Sequence, residues 1–197
     1  MEMLNAGAGT HYAEGWVNTD VWESDTTRPD VRVTPGEPYP FPDDTFDAIY
    51  LGHVLEHIAW PDVVPFLLDM NRVAKPGAPI LVVGPDVYRT IKRWSKGQEP
   101  WSMVESTLEH AGVNYQPGRE DEVWIGAEHH WNCHAQRLLT VLRDVGFVDV
   151  TDLSDDIPNN FNYPGPEDRW WTDPATGIRW PVVGKNAWQC AAHCRAF

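Results

Sequence analysis

Residues 46–84 read FDAIYLGHVLEHIAWPDVVPFLLDMNRVAKPGAPILVVG, and three pieces of that stretch decide the class of fold. Phe46–Leu51 (FDAIYL) has the β-branched and aromatic residues of a strand and follows the turn Pro42-Asp43-Asp44. Pro61–Ala74 spaces Val63, Phe66, Leu67, Met70 and Val73 at helical intervals, with Pro at its start and Pro76-Gly77 just past its end. Pro79–Gly84 (PILVVG) is apolar without interruption, as a strand buried on both faces of a parallel sheet is. Strand, helix and strand in succession predict a parallel sheet with covered faces.

The same reading extends in both directions. Met3–Ala6 is a short strand running into Gly7-Ala8-Gly9, Trp16–Val21 is a second strand ending in an acid, and Val31–Val33 is a third. Ala135–Val145 is an amphipathic helix closed by Gly146, Phe147–Asp152 follows as a strand, and Trp188–Cys194 is the last. Residues 86–128 are mixed and polar, with a helix expected around Trp101–Ala111. Residues 155–186, dense in Pro, Asn, Asp, Gly and Trp, read as a long loop.

The 197 residues suffice for one domain, 1–197, and 42% hydrophobic with 22% charged residues is globular composition. No apolar run approaches the roughly 18 residues of a membrane span. The start, MEMLNAGAGT, lacks the basic region and apolar stretch of a signal peptide, so a cytoplasmic location away from membranes is expected. Fifteen Lys and Arg against 29 Asp and Glu leave a net charge of −14, which disfavours nucleic acid and anionic membrane surfaces as partners. Three cysteines are too few for a disulfide framework. Nine of the 11 tryptophans lie at or after Trp60, so the second half has either a bulky core or an aromatic pocket.

In such sheets ligands bind outside the carboxyl ends of the strands, where the strand order reverses. The first strand ends in Asn5-Ala6-Gly7-Ala8-Gly9-Thr10, and glycines there let the backbone approach a ligand with free N–H groups. Asp20 stands where a carboxylate can accept both hydroxyls of a ribose. A dinucleotide fingerprint needs a third glycine and an acid about 20 residues on. Here Tyr12 occupies the third position and Asp20 follows Gly7 by only 13 residues, so a dinucleotide-dependent oxidoreductase is disfavoured. By itself Gly7-Ala8-Gly9 reads equally as a plain turn.

Four segments in order, LNAGAGTHYAEGWVNTDV, PYPFPDDTFDAIYLGHVLEHI, MNRVAKPGAPILVVGPD and HHWNCHAQRLLTVLRDVGFVDV, resemble the successive signatures of class I S-adenosylmethionine-dependent methyltransferases. The nearest likeness is to the subgroup with an LNLGCG first strand and an LEH run after the fourth. The resemblance implies a Rossmann-like α/β sheet, mostly parallel with an antiparallel last strand and helices on both faces. It makes 3–86 the cofactor-binding half, and 87–128 with 155–186 insertions over the acceptor site. It implies S-adenosyl-L-methionine as cofactor and methyl transfer to an O or N atom of an acceptor, a small molecule or saccharide being favoured.

Residue by residue, Ala6, Gly7 and Gly9 match the glycine-loop positions and Asp20 the ribose-binding acid. Leu51, Gly52 and His53 match the residues bordering the methionine portion, and Glu56 with His57 the LEH pair. For that pair, helix capping and direct ligation stand as equal readings. Ala8 replaces a cysteine or other small residue. The chain starts almost on its first strand, without the helix that usually covers the cofactor, so a homodimer partner is the expected source of that cover. The aligned stretch after the third strand, Val33-Thr34-Pro35-Gly36-Glu37, has no acid at the place expected near adenine.

Methyl transfer from a sulfonium asks mainly for in-line positioning and exclusion of water, with a base only where the acceptor must lose a proton. Base candidates are His53, His57, His129, His130 and Asp86, with His53 and His130 first. His129, His130, Cys133 and His134 form one group of metal-ligand types, and Cys190, His193 and Cys194 another. Neither has CxxC-type pairing, and on a strand His193 faces away from Cys190 and Cys194, so no metal is expected. The competing functional reading is a non-catalytic binding or assembly module. The Gly7, Gly9 and Asp20 set argues against it.

Overall fold

The computed structural model describes residues 1–9, 11–23, 28–104, 129–131, 133–156, 170–181 and 189–197. Nine strands are present among them: β1 Met3–Ala6, β2 Val17–Asp20, β3 Val31–Arg32, β4 Ala48–Gly52, β5 Pro79–Pro85, β6 Val148–Asp152, β7 Trp171–Thr172, β8 Arg179–Trp180 and β9 Gln189–Arg195. The helices are a 3-10 turn at Leu55–His57, α1 Trp60–Val73, α2 Val87–Ser95 and α3 Ala135–Val145.

Seven strands form one sheet in the order β3-β2-β1-β4-β5-β9-β6. β1, β2, β3, β4 and β5 pair in parallel, while β9 runs antiparallel between β5 and β6. The order reverses at β1, which pairs Ala6 with Thr19 of β2 on one side and with Leu51 of β4 on the other. In sheets of this kind a ligand site lies outside the carboxyl ends of the strands at such a reversal, here β1 and β4.

The pleat sorts the side chains into two cores. Ile49, Leu51, Ile80, Val82, Cys190, Ala192 and Cys194 face one way and pack with Val63, Leu67 and Met70 of α1 and with Leu138 and Leu142 of α3. Ala48, Tyr50, Leu81, Val83 and Ala191 face the other way, onto Ala13, Trp16 and Trp180. Trp180 is fully buried, with its ring 5.7 Å from that of Trp16. Between β1 and β4 the links hold no helix among the described residues, so this second face is closed in part by indole rings.

That closure corrects the reading of 155–186 as a loop throughout: β7 and β8 form a two-stranded antiparallel ribbon that delivers Trp180. Strands of two residues are too short to show alternation. α2 also lay inside a stretch read as mixed. Asp86 caps it, its Oδ1 accepting from the Arg89 N–H at 2.8 Å. The helix expected around 101–111 is helical at 101–104; its remainder lies outside the described residues, as does Trp188. α3 has the expected bounds and ends at Gly146 in the left-handed conformation. No helix among the described residues is long and apolar enough to cross a membrane.

Candidate functional site

The turn after β1 and the end of β2 are tied by Asp20. Its Oδ2 accepts from the Gly9 N–H at 2.7 Å and its Oδ1 from the Trp22 N–H at 2.8 Å. A carboxylate has about four acceptor positions, so roughly two remain for incoming hydroxyls. Gly7 and Gly9 have φ of +68° and +53°, the region where a side chain is strained. A Cβ on Gly7 would come 2.5 Å from Cγ2 of Val54, whereas a Cβ on Gly9 would meet nothing within 4 Å. The turn is therefore packed on the segment after β4 at Gly7 and faces open space at Gly9.

Behind the turn, Asn5 and Asn18 support the same edge. Asn5 Nδ2 donates to Oδ1 of Asn18 at 2.9 Å, and that oxygen also accepts from the Ala13 N–H at 2.7 Å. Asp30 accepts from both the backbone N–H and the side-chain amide of Asn18. Burial pushes the Asp30 carboxyl upward, but these bonds and one from the Tyr12 hydroxyl outweigh it and hold the carboxyl below the ordinary aspartate range.

At the end of β4, Gly52 has no room for a Cβ because the Tyr50 ring lies against it. His53 follows with φ of +57°, an uncommon conformation for a non-glycine residue and one that clusters at functional sites. Its backbone N–H is held by the Val83 carbonyl at 2.8 Å. Nδ1 lies 3.0 Å from Oε1 of Glu56, and Nε2 lies 2.8 Å from the amide nitrogen of Gln189. A neutral imidazole protonated on Nδ1 satisfies both: it donates to Glu56 and accepts from Gln189.

Glu56 is fully buried. Burial pushes its carboxyl upward, but the His53 hydrogen bond and the imidazoles of His53, His57 and His129 prevail and keep it below the ordinary glutamate range. The chain around His129 is clamped onto this turn. The His130 N–H donates to the Glu56 carbonyl at 2.7 Å and Trp131 Nε1 to the Leu55 carbonyl at 2.9 Å. Trp131 packs edge-on against Trp60, and the Arg137 guanidinium lies 4.2 Å over Trp60. As a result the His57 and His129 rings meet at 4.7 Å.

Ala6, Gly7, Gly9, Asp20, Leu51, Gly52, His53, Glu56 and His57 thus share the carboxyl edge of β1, β2 and β4. Leu51 and Ala6 are fully buried in the sheet itself. His130 is exposed, and it meets the edge through its backbone. Asp86 is occupied structurally: it caps α2 and accepts from the Ala135 N–H at 3.3 Å. Neither group of metal-ligand types singled out in the sequence is gathered as a unit. His134 caps α3, Cys133 lies with Sγ 3.6 Å from Sγ of Cys190, and His193 faces away from Cys190 and Cys194. Gln189 was not foreseen, because it lies 136 residues from His53 and no local pattern marks it.

Residues 9–82 match the model of a family described as a methyltransferase domain. Among solved structures, the chain is similar to a SAM-dependent methyltransferase from Archaeoglobus fulgidus, with 14% identity, TM-score 0.52, and 98% of this chain and 85% of that one covered. It is also similar to a SAM-dependent methyltransferase from Thermotoga maritima, with 14% identity, TM-score 0.55, and 100% and 82% covered. A third is the 1,6-didemethyltoxoflavin-N1-methyltransferase of Burkholderia thailandensis, solved with 1,6-didemethyltoxoflavin and S-adenosylhomocysteine, with 13% identity, TM-score 0.51, and 99% and 70% covered. No curated protein matches the chain. The fold is the Rossmann-like sheet of class I methyltransferases.

Proposed function

We propose that the chain is an S-adenosylmethionine-dependent methyltransferase acting on an oxygen or nitrogen atom of a small molecule or saccharide. The observation that carries this reading is one juxtaposition: the glycine turn 7–9, the Asp20 carboxylate and the Gly52-His53 backbone meet at the strand-order reversal. S-adenosylmethionine is the cofactor that this set fits. When bound, it supplies a methyl group made electrophilic by the sulfonium.

The chain's own part is to bind and to orient. Asp20 accepts the ribose hydroxyls with the capacity left after its two backbone bonds. Gly7 and Gly9 present main chain in place of side chains, with open space in front of Gly9. The 52–53 backbone borders the methionine portion. His53, held between Glu56 and Gln189, accepts a proton from a hydroxyl or amine only after Gln189 yields Nε2.

Three observations favour a small acceptor. The net charge of −14 repels nucleic acid. Trp94 and Trp101 pair edge to face at 4.9 Å with both rings exposed, offering faces to a planar or sugar ring. The Burkholderia enzyme of the same fold holds a small heteroaromatic molecule. Calorimetric titration with S-adenosylmethionine and S-adenosylhomocysteine, alongside Asp20→Ala, tests the cofactor. Micromolar binding weakened by the variant is expected, followed by label transfer from methyl-labelled cofactor to sugars, phenols or amines. A wild type that binds neither compound overturns the reading.

A further inference from the structure

We propose that Glu56, His57 and His129 form a three-ligand site for a divalent transition-metal ion at the carboxyl end of β4. One ligand atom from each, a carboxylate oxygen and two ring nitrogens, lie within 4.8 Å of one another. Two imidazoles and one carboxylate are the donor set that zinc, ferrous iron and cobalt take in open sites, where water or substrate fills the remaining positions. Metal–ligand bonds are about 2.0–2.2 Å, so small rotations of the partly exposed imidazoles bring the three atoms around one ion.

The carboxylate is prepared for this role. Glu56 has no solvent access, and its Oε2 has no hydrogen-bond partner among the described residues. A buried carboxylate with an unmet acceptor is costly unless something positive satisfies it. Its other oxygen, Oε1, accepts from His53, an outer contact of the kind that orients a ligating carboxylate.

The third ligand is delivered by design of the backbone. The His130 N–H to Glu56 carbonyl bond and the Trp131 Nε1 to Leu55 carbonyl bond fix segment 129–131 against the 3-10 turn. This trio joins two neighbours of the 3-10 turn, Glu56 and His57, to His129 from a distant segment. The metal reading is independent of the methyl-transfer reading, since it concerns only ligation by these three side chains.

The test uses the whole chain, stripped with a chelator and titrated with Co²⁺ followed by absorption spectroscopy and with Zn²⁺ by calorimetry. His57→Asn and His129→Asn are compared, both being partly exposed sites whose replacement spares the core, with circular dichroism to confirm folding. One equivalent of metal is expected, bound more than about 100-fold more weakly by either folded variant, with no thiolate-to-cobalt charge-transfer band. Absence of stoichiometric binding by the wild type overturns the proposal. So does wild-type affinity in either folded variant, or a thiolate band, which would move the ion to the cysteines.

Discussion

The Gly9 N–H donates to Oδ2 of Asp20 across 2.7 Å, so the carboxylate that we propose receives a ribose also fastens the glycine turn beneath it. On that proposal, binding and local stability are coupled in one side chain. Asp20→Ala leaves the Gly9 and Trp22 N–H groups without their charged acceptor, at a cost of about 2–3 kcal/mol. Denaturant unfolding reads that loss, and calorimetry is expected to read a drop in S-adenosylhomocysteine affinity of at least about 10-fold. Asp20→Asn, which keeps an acceptor, falls between the two.

Gly7 and Gly9 share a left-handed backbone but differ in surroundings, and alanine separates the two effects. Gly9→Ala meets open space and costs only the conformational strain, about 1–2 kcal/mol. Gly7→Ala adds a collision with Val54 and should cost about 1–3 kcal/mol more. In a Val54→Ala background the difference between the two glycine variants should shrink, which a double-mutant cycle on thermal unfolding measures.

Trp180 closes the face of the sheet that carries Tyr50, Leu81 and Val83. Trp180→Ala is expected to lose about 3–5 kcal/mol of stability, and Trp180→Phe distinctly less. Chemical denaturation of the two variants beside the wild type decides it. Equal stability in Trp180→Ala would mean that the ring is not part of this core.

The three thiols are buried, and those of Cys133 and Cys194 are also hard to ionise. The hydrogen bond with Cys190, then burial, push the Cys133 thiol well above the ordinary range, and burial pushes Cys194 up to about 12. Since the thiolate is the reactive form, alkylation at neutral pH should label none of Cys133, Cys190 and Cys194 in the folded protein and all three after denaturation. Mass spectrometry counts the adducts.

Asp30 binds its proton less readily in the folded chain than the ordinary aspartate value of about 3.9. A lowered folded value contributes stability that is fully present above that pH and is lost as pH falls through the folded value. The stability gap between wild type and Asp30→Asn should therefore be constant from neutral pH down to about 5 and close on further acidification. Urea unfolding at a series of pH values follows the gap.

The sequence by itself determined the order of the main strands and helices, the glycine turn, the acid at the end of β2 and the α3 helix to the residue. Each of these is local: a period of two, a period near 3.6, or a short side chain where the backbone turns sharply. Tertiary structure alone decided which distant groups meet. Gln189 reaches His53 because β9 pairs antiparallel with β5, and His129 reaches His57 because segment 129–131 is clamped to the turn after β4. Trp180 covers the sheet through a ribbon of two-residue strands. Such contacts depend on strand order and register across more than 70 residues, and no local pattern encodes them.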